Sequence, residues 1–348
     1  MINKKLLAEI CEVSGAPGHE QNVRNIVTRE LKGIVDEITI DNMGNLTAIK
    51  KGKNRKKIMI AAHMDEIGFI VTHVDEKGFI YFHTLGGFDP KTLTAQRVIV
   101  HGKKDVLGVM GSKPIHLMSP ADRTKVPTIK DYFIDTGIPK KDLEKIVSVG
   151  DTITRERKMV EMGNCLNCKS LDNRVSVYIL IELFKEMKKT PEYDVYGVFT
   201  VQEEIGIRGA NVSSMQINPD FGFGLDTTIA WDTPGSTKQE QVSALGKGAC
   251  IKVMDSSTVC DYRMVSYMKE IAKKKKIKTQ LEILPAGGTD TAGVQRMNPG
   301  GSIAGAVSIP TRHIHQVIEM VDKNDVRSAI DLLKTCVLNI HSYDWGFK

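Results

Sequence analysis

The sequence predicts an α/β protein interrupted by a small β domain. Short apolar runs alternate with stretches of helical apolar spacing before residue 69 and again after residue 160, as strands and their covering helices do. Between those limits the pattern changes to short alternating segments punctuated by Gly and Pro, as in a small barrel or sandwich. Several of the outer apolar runs also end in His, Asp or Glu, and strand ends are where chemistry gathers in α/β sheets. The expected organisation is one core in two parts, 1–68 and 161–348, around an insert at 69–160.

Residues 1–30 read as helical, broken by the turn cluster Ser14-Gly15-Ala16-Pro17-Gly18. Residues 35–49 read as strands about Asn45, and 57–62 as a buried strand ending in His63-Met64-Asp65-Glu66-Ile67-Gly68. In the insert, 69–74, 79–83, 96–101 and 106–110 read as strands, and helix-forming sequence is scarce until 140–145. Its His73, His83, His101 and His116 fall at no ligand spacing, so structural or surface roles are expected of them. Further on, Ser170-Leu171-Asp172-Asn173-Arg174 precedes a helix over 175–187, and an Asp in that place is ordinarily an N-cap. The β-branched and aromatic run from Gly197 reads as a strand ending in Gln202-Glu203-Glu204-Ile205-Gly206. Residues 221–225 form another, ending in Asp226-Thr227-Thr228. An amphipathic helix is expected over 257–275, a strand over 278–284 before Gly287-Gly288-Thr289-Asp290, a strand over 303–309, and a last helix over 323–338.

A chain of 348 residues suits two domains. The formal charge of +6 is mild, and its one dense basic run, 273–276, falls at a predicted helix end where cations suit the dipole, so no nucleic-acid role is expected. No apolar run approaches the ~20 residues of a membrane span, and the N-terminus leads into an amphipathic helix containing Glu9 instead of a signal core. Six cysteines are sparse for this length and point to reduced thiols in the cytoplasm. Cys165 and Cys168 form a CxxC without a second CxxC or a His pair, and read as incidental.

Buried carboxylates are costly unless paired, hydrogen-bonded or bound to a cation. His63, Glu204, Asp226 and His315 follow predicted strands, and Asp172 opens a helix in the same alternating pattern. Two imidazoles and three carboxylates suit a pair of zinc or cobalt ions, which can clamp a water nucleophile and polarise a carbonyl. A further carboxylate must then act as base, and Glu203, beside Glu204, is placed for it. His63 and Asp65 share a side of an extended backbone, which suits a ligand beside a residue that orients it.

The chain resembles the M42 metallo-aminopeptidases, the co-catalytic zinc peptidases that assemble as TET particles. The resemblance rests on Ala62-His63-Met64-Asp65-Glu66-Ile67-Gly68, Leu171-Asp172-Asn173-Arg174, Gln202-Glu203-Glu204-Ile205-Gly206, Gly224-Leu225-Asp226, Gly287-Gly288-Thr289-Asp290 and Ile309-Pro310-Thr311-Arg312-His313-Ile314-His315, in that order around the insert. It implies a zinc-peptidase-like α/β/α catalytic core with a PDZ-like insert, and cleavage of N-terminal residues from short peptides. It further implies that His63 and Asp226 bind one metal, that Glu204 and His315 bind the other, and that Asp172 bridges them. Glu203 would be the general base that later passes its proton to the leaving amine, and Asp65 would fix the tautomer of His63. A cis peptide bond between Asp172 and Asn173 is implied too, as are pairing through the insert and a hollow dodecamer built from dimers.

Two positions depart from the family pattern. His313-Ile314-His315-Gln316 stands where Tyr, Ile, His, Ser is frequent, and Ser176 where Gly is frequent. Acidic, aliphatic and basic side-chain preferences all occur in the family, and the pocket residues that decide among them are not assignable from sequence. Two other readings compete. A glycoside hydrolase uses two carboxylates and leaves His63, Asp172 and His315 without a task. A catalytically dead binding protein would have lost a ligand, and none is lost.

Overall fold

The computed structural model describes residues 2–347. The first stretch forms α1 (Lys4–Glu12), α2 (Gln21–Leu31), β1 (Glu37–Ile40), β2 (Leu46–Lys50) and β3 (Asn54–His63). Next come β4 (Gly68–Val74), β5 (Ile80–Leu85), β6 (Arg97–His101), β7 (Asp105–Ser112), α3 (Pro120–Arg123), β8 (Tyr132–Asp135), α4 (Lys140–Leu143) and β9 (Thr152–Arg155). The remainder begins with β10 (Val160–Met162), β11 (Cys165–Cys168), α5 (Leu171–Glu186), β12 (Tyr193–Thr200), α6 (Arg208–Ile217) and β13 (Phe221–Ile229). It ends with β14 (Ala249–Met254), α7 (Tyr262–Lys275), β15 (Thr279–Ile283), α8 (Thr291–Arg296), β16 (Ile303–Arg312), β17 (Glu319–Asp322) and α9 (Lys323–Asn339).

Eleven strands form one sheet along the path β1-β2-β12-β3-β13-β16-β17-β11-β10, with β14 beside β16 and β15 beyond it. The middle four, β12, β3, β13 and β16, run parallel. Alternation along β3 shows why. Ile58, Ile60 and Ala62 enter the main apolar cluster with α1, α5 and α9, whereas Met59 and Ala61 enter a smaller one with Ile217 of α6 and Val294 of α8. A strand covered on both faces has no polar side, which is why its sequence reads as a continuous apolar run. α5 is buried along nearly its whole length, so apolar residues surround it instead of forming one stripe. On β13, Phe221, Phe223 and Leu225 join the main cluster, while Gly222 and Gly224 face α8. A Cβ at Gly224 would fall 1.9 Å from Thr291 Oγ1, so only glycine lets α8 pack this closely.

β4 to β9 close into a six-stranded barrel in the order β4-β5-β8-β7-β6-β9. The barrel has its own apolar cluster, which includes Phe69, Val98, Ile134 and Ile153. Its first and last strands pair, with Phe69 opposite Ile153, so the chain enters and leaves at one place.

Some local expectations need correction. The helix expected over 257–275 starts only at Tyr262: Asp255 accepts the Ser257 N–H and Asp261 caps at the Arg263 N–H, which fixes a turn before the helix. Asp172 is not a simple cap. Its backbone is non-helical, Ser170 takes the N-cap place, and the Asp172–Asn173 peptide bond is cis, as the family resemblance implied. Cys165 and Cys168 lie three apart on β11 and therefore point to opposite faces. None of the six cysteines is in a disulfide. Among the described residues no helix is long and apolar enough to cross a membrane.

Candidate active site

Parallel register brings the candidate residues to one edge. Thr200 lies opposite His63, and Gly224 lies opposite Ala61, so the ends of β12 and β3 come level with Asp226 in β13, which runs on beside β16. The loop after β12 carries Glu203 and Glu204, the end of β3 carries His63, β13 carries Asp226, and the turn after β16 carries His315. The start of α5 brings Asp172 up beneath them. All six line one cavity of about 470 Å³. His313, by contrast, is exposed and does not line it.

Asp172 faces both imidazoles. Its Oδ1 is 3.5 Å from His63 Nε2, and its Oδ2 is 3.4 Å from His315 Nε2. His63 Nε2 is also 3.7 Å from Asp226 Oδ1, and His315 Nε2 is 3.5 Å from Glu204 Oε2. These separations exceed the roughly 2.7–3.2 Å of a hydrogen bond. They match the spacing of two ligands on one ion: two donors each about 2.0–2.1 Å from a tetrahedral centre lie about 3.4 Å apart. One ligand atom from each of His63, Asp172 and Glu204 lies within 4.8 Å of the others, so the donor set fits a metal ion. Glu203 Oε2 is 3.8 Å from His63 Nε2, on the same cavity.

Asp65 is buried behind the site and holds two elements at once. Its carboxylate accepts the N–H of Glu203 and of Glu204, each at 3.0 Å, which fixes the loop carrying both side chains. His63 Nδ1 faces the Asp65 backbone carbonyl at 3.1 Å and its carboxylate at 3.4 Å, leaving Nε2 toward the cavity. The neighbouring Glu66 turns away and accepts two bonds from Lys169 Nζ, at 2.7 and 2.6 Å, in a buried ion pair.

Charge is out of balance here. Burial pushes the Glu203 carboxyl well above its usual range and Glu204 up to about 8, with neighbouring carboxylates adding to the effect. Burial also raises Asp226, and lifts Asp290 to about 7, where its side chain accepts from Thr200. Burial opposes protonation of His315, yet Glu204 and Asp172 hold it up at about 10. His63 is likewise raised, because Asp172, Asp226 and Asp65 outweigh its burial. Asp172 alone is lowered, by the two imidazoles and against its own burial.

Sequence reasoning missed two groups that touch this centre. Glu319 opens β17 and accepts the Asp172 and His315 N–H groups, at 2.8 and 3.0 Å. Arg155 ends β9 of the barrel and donates to the His315 carbonyl at 2.9 Å. One signal was available for Glu319: it shares a face with the core residue Val321, where an apolar side chain belongs.

A doubly covered α/β sheet whose strand ends converge imidazoles and carboxylates on one cavity defines a class, the metal-dependent hydrolases. The profile of the M42 glutamyl aminopeptidases matches residues 44–332. A putative aminopeptidase of Acetivibrio thermocellus is 38% identical over 94% of this chain and 96% of its own length. A TET aminopeptidase from a marine-sediment Thaumarchaeota archaeon superimposes with a TM-score of 0.94 at 33% identity, covering 97% of this chain and 96% of that one. The Pyrococcus horikoshii TET1 peptidase, described as assembling into a tetrahedron or a large octahedral shell, has a TM-score of 0.87 at 28% identity, with 96% and 99% covered. The chain belongs to the M42 family of metallo-aminopeptidases.

Proposed function

We propose that this chain is a two-metal aminopeptidase acting on short peptides, with His63 and Asp226 holding one divalent ion, Glu204 and His315 the other, and Asp172 bridging. The observation that carries the reading is the charge of the cavity. Asp172, Glu203, Glu204 and Asp226 contribute four carboxylates, and with neutral His63 and His315 two divalent cations balance them. Imidazole with carboxylate favours zinc or cobalt over a hard ion such as magnesium. Bound there, the ions supply Lewis acidity to the scissile carbonyl and to water. Glu203 is then the general base. It lines the cavity without belonging to either ligand pair, and burial raises its proton affinity. After accepting the proton at a carboxylate oxygen, it delivers it to the leaving amine nitrogen. Asp65 keeps Glu203 in place through the backbone N–H it accepts.

The same reading takes the span 69–160 as a domain through which subunits pair, and a dodecamer built from such dimers as the assembled form, enclosing the sites. The tetrahedral shell of the Pyrococcus horikoshii relative supports it. A cytoplasmic location accords with six unpaired cysteines. Metal analysis tests the central claim. Protein purified without chelator is expected to carry two divalent ions per chain and to lose peptidase activity on chelation, with zinc or cobalt restoring it. Full activity at well under one ion per chain would refute the assignment.

A further inference from the structure

Arg155 and Glu319 meet on one residue. Arg155 lies on the same face of β9 as the barrel-core residue Ile153, is only 2% exposed, and places its guanidinium 5.4 Å over the Phe88 ring. Its Nη1 bonds the His315 carbonyl, while its Nε and Nη2 have no hydrogen-bond partner. Among the described residues, the bond to His315 is thus the one hydrogen bond that this buried guanidinium makes. Glu319 is 1% exposed and sits opposite Cys168, beside the strand that leads into Asp172. One of its oxygens holds the His315 N–H and the other the Asp172 N–H. His315 has φ +62°, a left-handed backbone that is unfavourable for a non-glycine residue. Such a conformation persists where the surroundings over-determine it, and here the N–H and C=O of His315 are both held. Neither Arg155 nor Glu319 hydrogen-bonds to His63 or Asp226.

We propose that Glu319 and Arg155 are positioning residues for the Glu204–His315 half of the metal centre, so that the barrel and the sheet jointly set the affinity of that half. This rests on the two-metal reading above. The barrel then does more than cover the site or join subunits, because an arginine at its last strand fixes the main chain of a ligand in the other part of the molecule. Burial lowers the Arg155 guanidinium from its ordinary value, and among the carboxylates around it Glu319 offsets that most.

The test is a Co²⁺ titration of metal-stripped, full-length protein, followed by calorimetry and visible absorption. Wild type is expected to bind in two steps. In Arg155→Met the first step is expected to be unchanged and the second weakened about 10–100-fold, the range for lost partners of metal ligands, whereas Glu319→Gln, which also loosens the bridging Asp172, is expected to weaken the second step at least as much and the first step less. At saturating metal the peptide KM should stay near wild type, and Arg155→Lys should recover part of the second step. Folded variants that titrate like wild type would overturn the proposal. So would equal weakening of both steps with a lowered Tm, which a merely structural role produces. A wild-type protein that binds fewer than two ions would instead sink the two-metal reading, so the two failures are distinguishable.

Discussion

In the sheet, β3 buries Met59 and Ile60 on opposite faces. In the barrel, β7 buries Val106 and Met110 but leaves Leu107 and Val109 in solvent, at 57% and 47% exposure. The sheet therefore has no spare face in its middle, and only its strand ends are available for chemistry. The barrel has a spare face, and none of the six cavity-lining imidazoles and carboxylates comes from it. Two regions built from similar strands are thus suited to different work, and the suiting is set by how many faces are covered.

The largest effect should come at a strand end. His315→Ala is expected to reduce peptidase activity below detection and weaken one metal site, while His313→Ala, at an exposed position, leaves both metals bound. Metal titrations showing the reverse would mean that the wrong imidazole had been assigned. Next is Glu203→Gln, which keeps shape and removes proton transfer. It should cost about 10²–10⁴-fold in kcat and leave the metal content intact. Near-normal kcat, or lost metal, would remove Glu203 from the role of base.

On the barrel the expectation reverses. Leu107→Asp with Val109→Asp changes exposed side chains, so the stability of a single subunit should move by no more than about 0.5 kcal/mol. Its assembly, measured by light scattering, should fall to smaller species if this face joins subunits. Unchanged particle mass would send the subunit contact elsewhere on the surface.

The smallest effect should come from the helices covering the sheet. Glu186 on α5 bonds Arg327 and Lys334 of α9, and chiefly the Arg327 bonds hold its carboxyl down at about 2. A depressed folded pKa stabilises above the unfolded value and is lost as pH falls, here between about 4.5 and about 2. With the side chain 29% exposed, solvent screening leaves at most about 1 kcal/mol. Glu186→Gln should therefore lower Tm slightly at pH 7, with the gap to wild type closing toward pH 2.

What the sequence made legible follows the same division. The residues around 57–62 announce a doubly covered strand, and the five expected ligands stand in motifs that interrupt apolar runs. β14 was not legible, because Lys252 stands in its middle. That lysine is buried only by virtue of Asp255 and Glu282, which the fold brings to 3.1 and 2.9 Å of it. α6 was hidden by Gly209, Asn211, Ser213 and Ser214, poor helix formers that packing against β3, β12 and α8 overrides. Arg155 and Glu319 escaped notice for a related reason. A lone charge in a short strand reads as solvated surface until its partners are known.

The pairing of β4 with β9 has a consequence for chain entropy. Between β3 and its parallel partners β12 and β13 lies the whole barrel sequence, and closing an unstructured loop of that length costs roughly 2.5 kcal/mol more than closing one of about five residues. Once the barrel has folded, its two ends leave side by side and only about 40 residues outside it remain to be closed, which takes roughly 1 kcal/mol off the cost of joining β3 to β12. Folding in the order barrel first, sheet second is therefore favoured. A mutation that loosens the barrel's interior should slow formation of the parallel sheet without touching a residue in it.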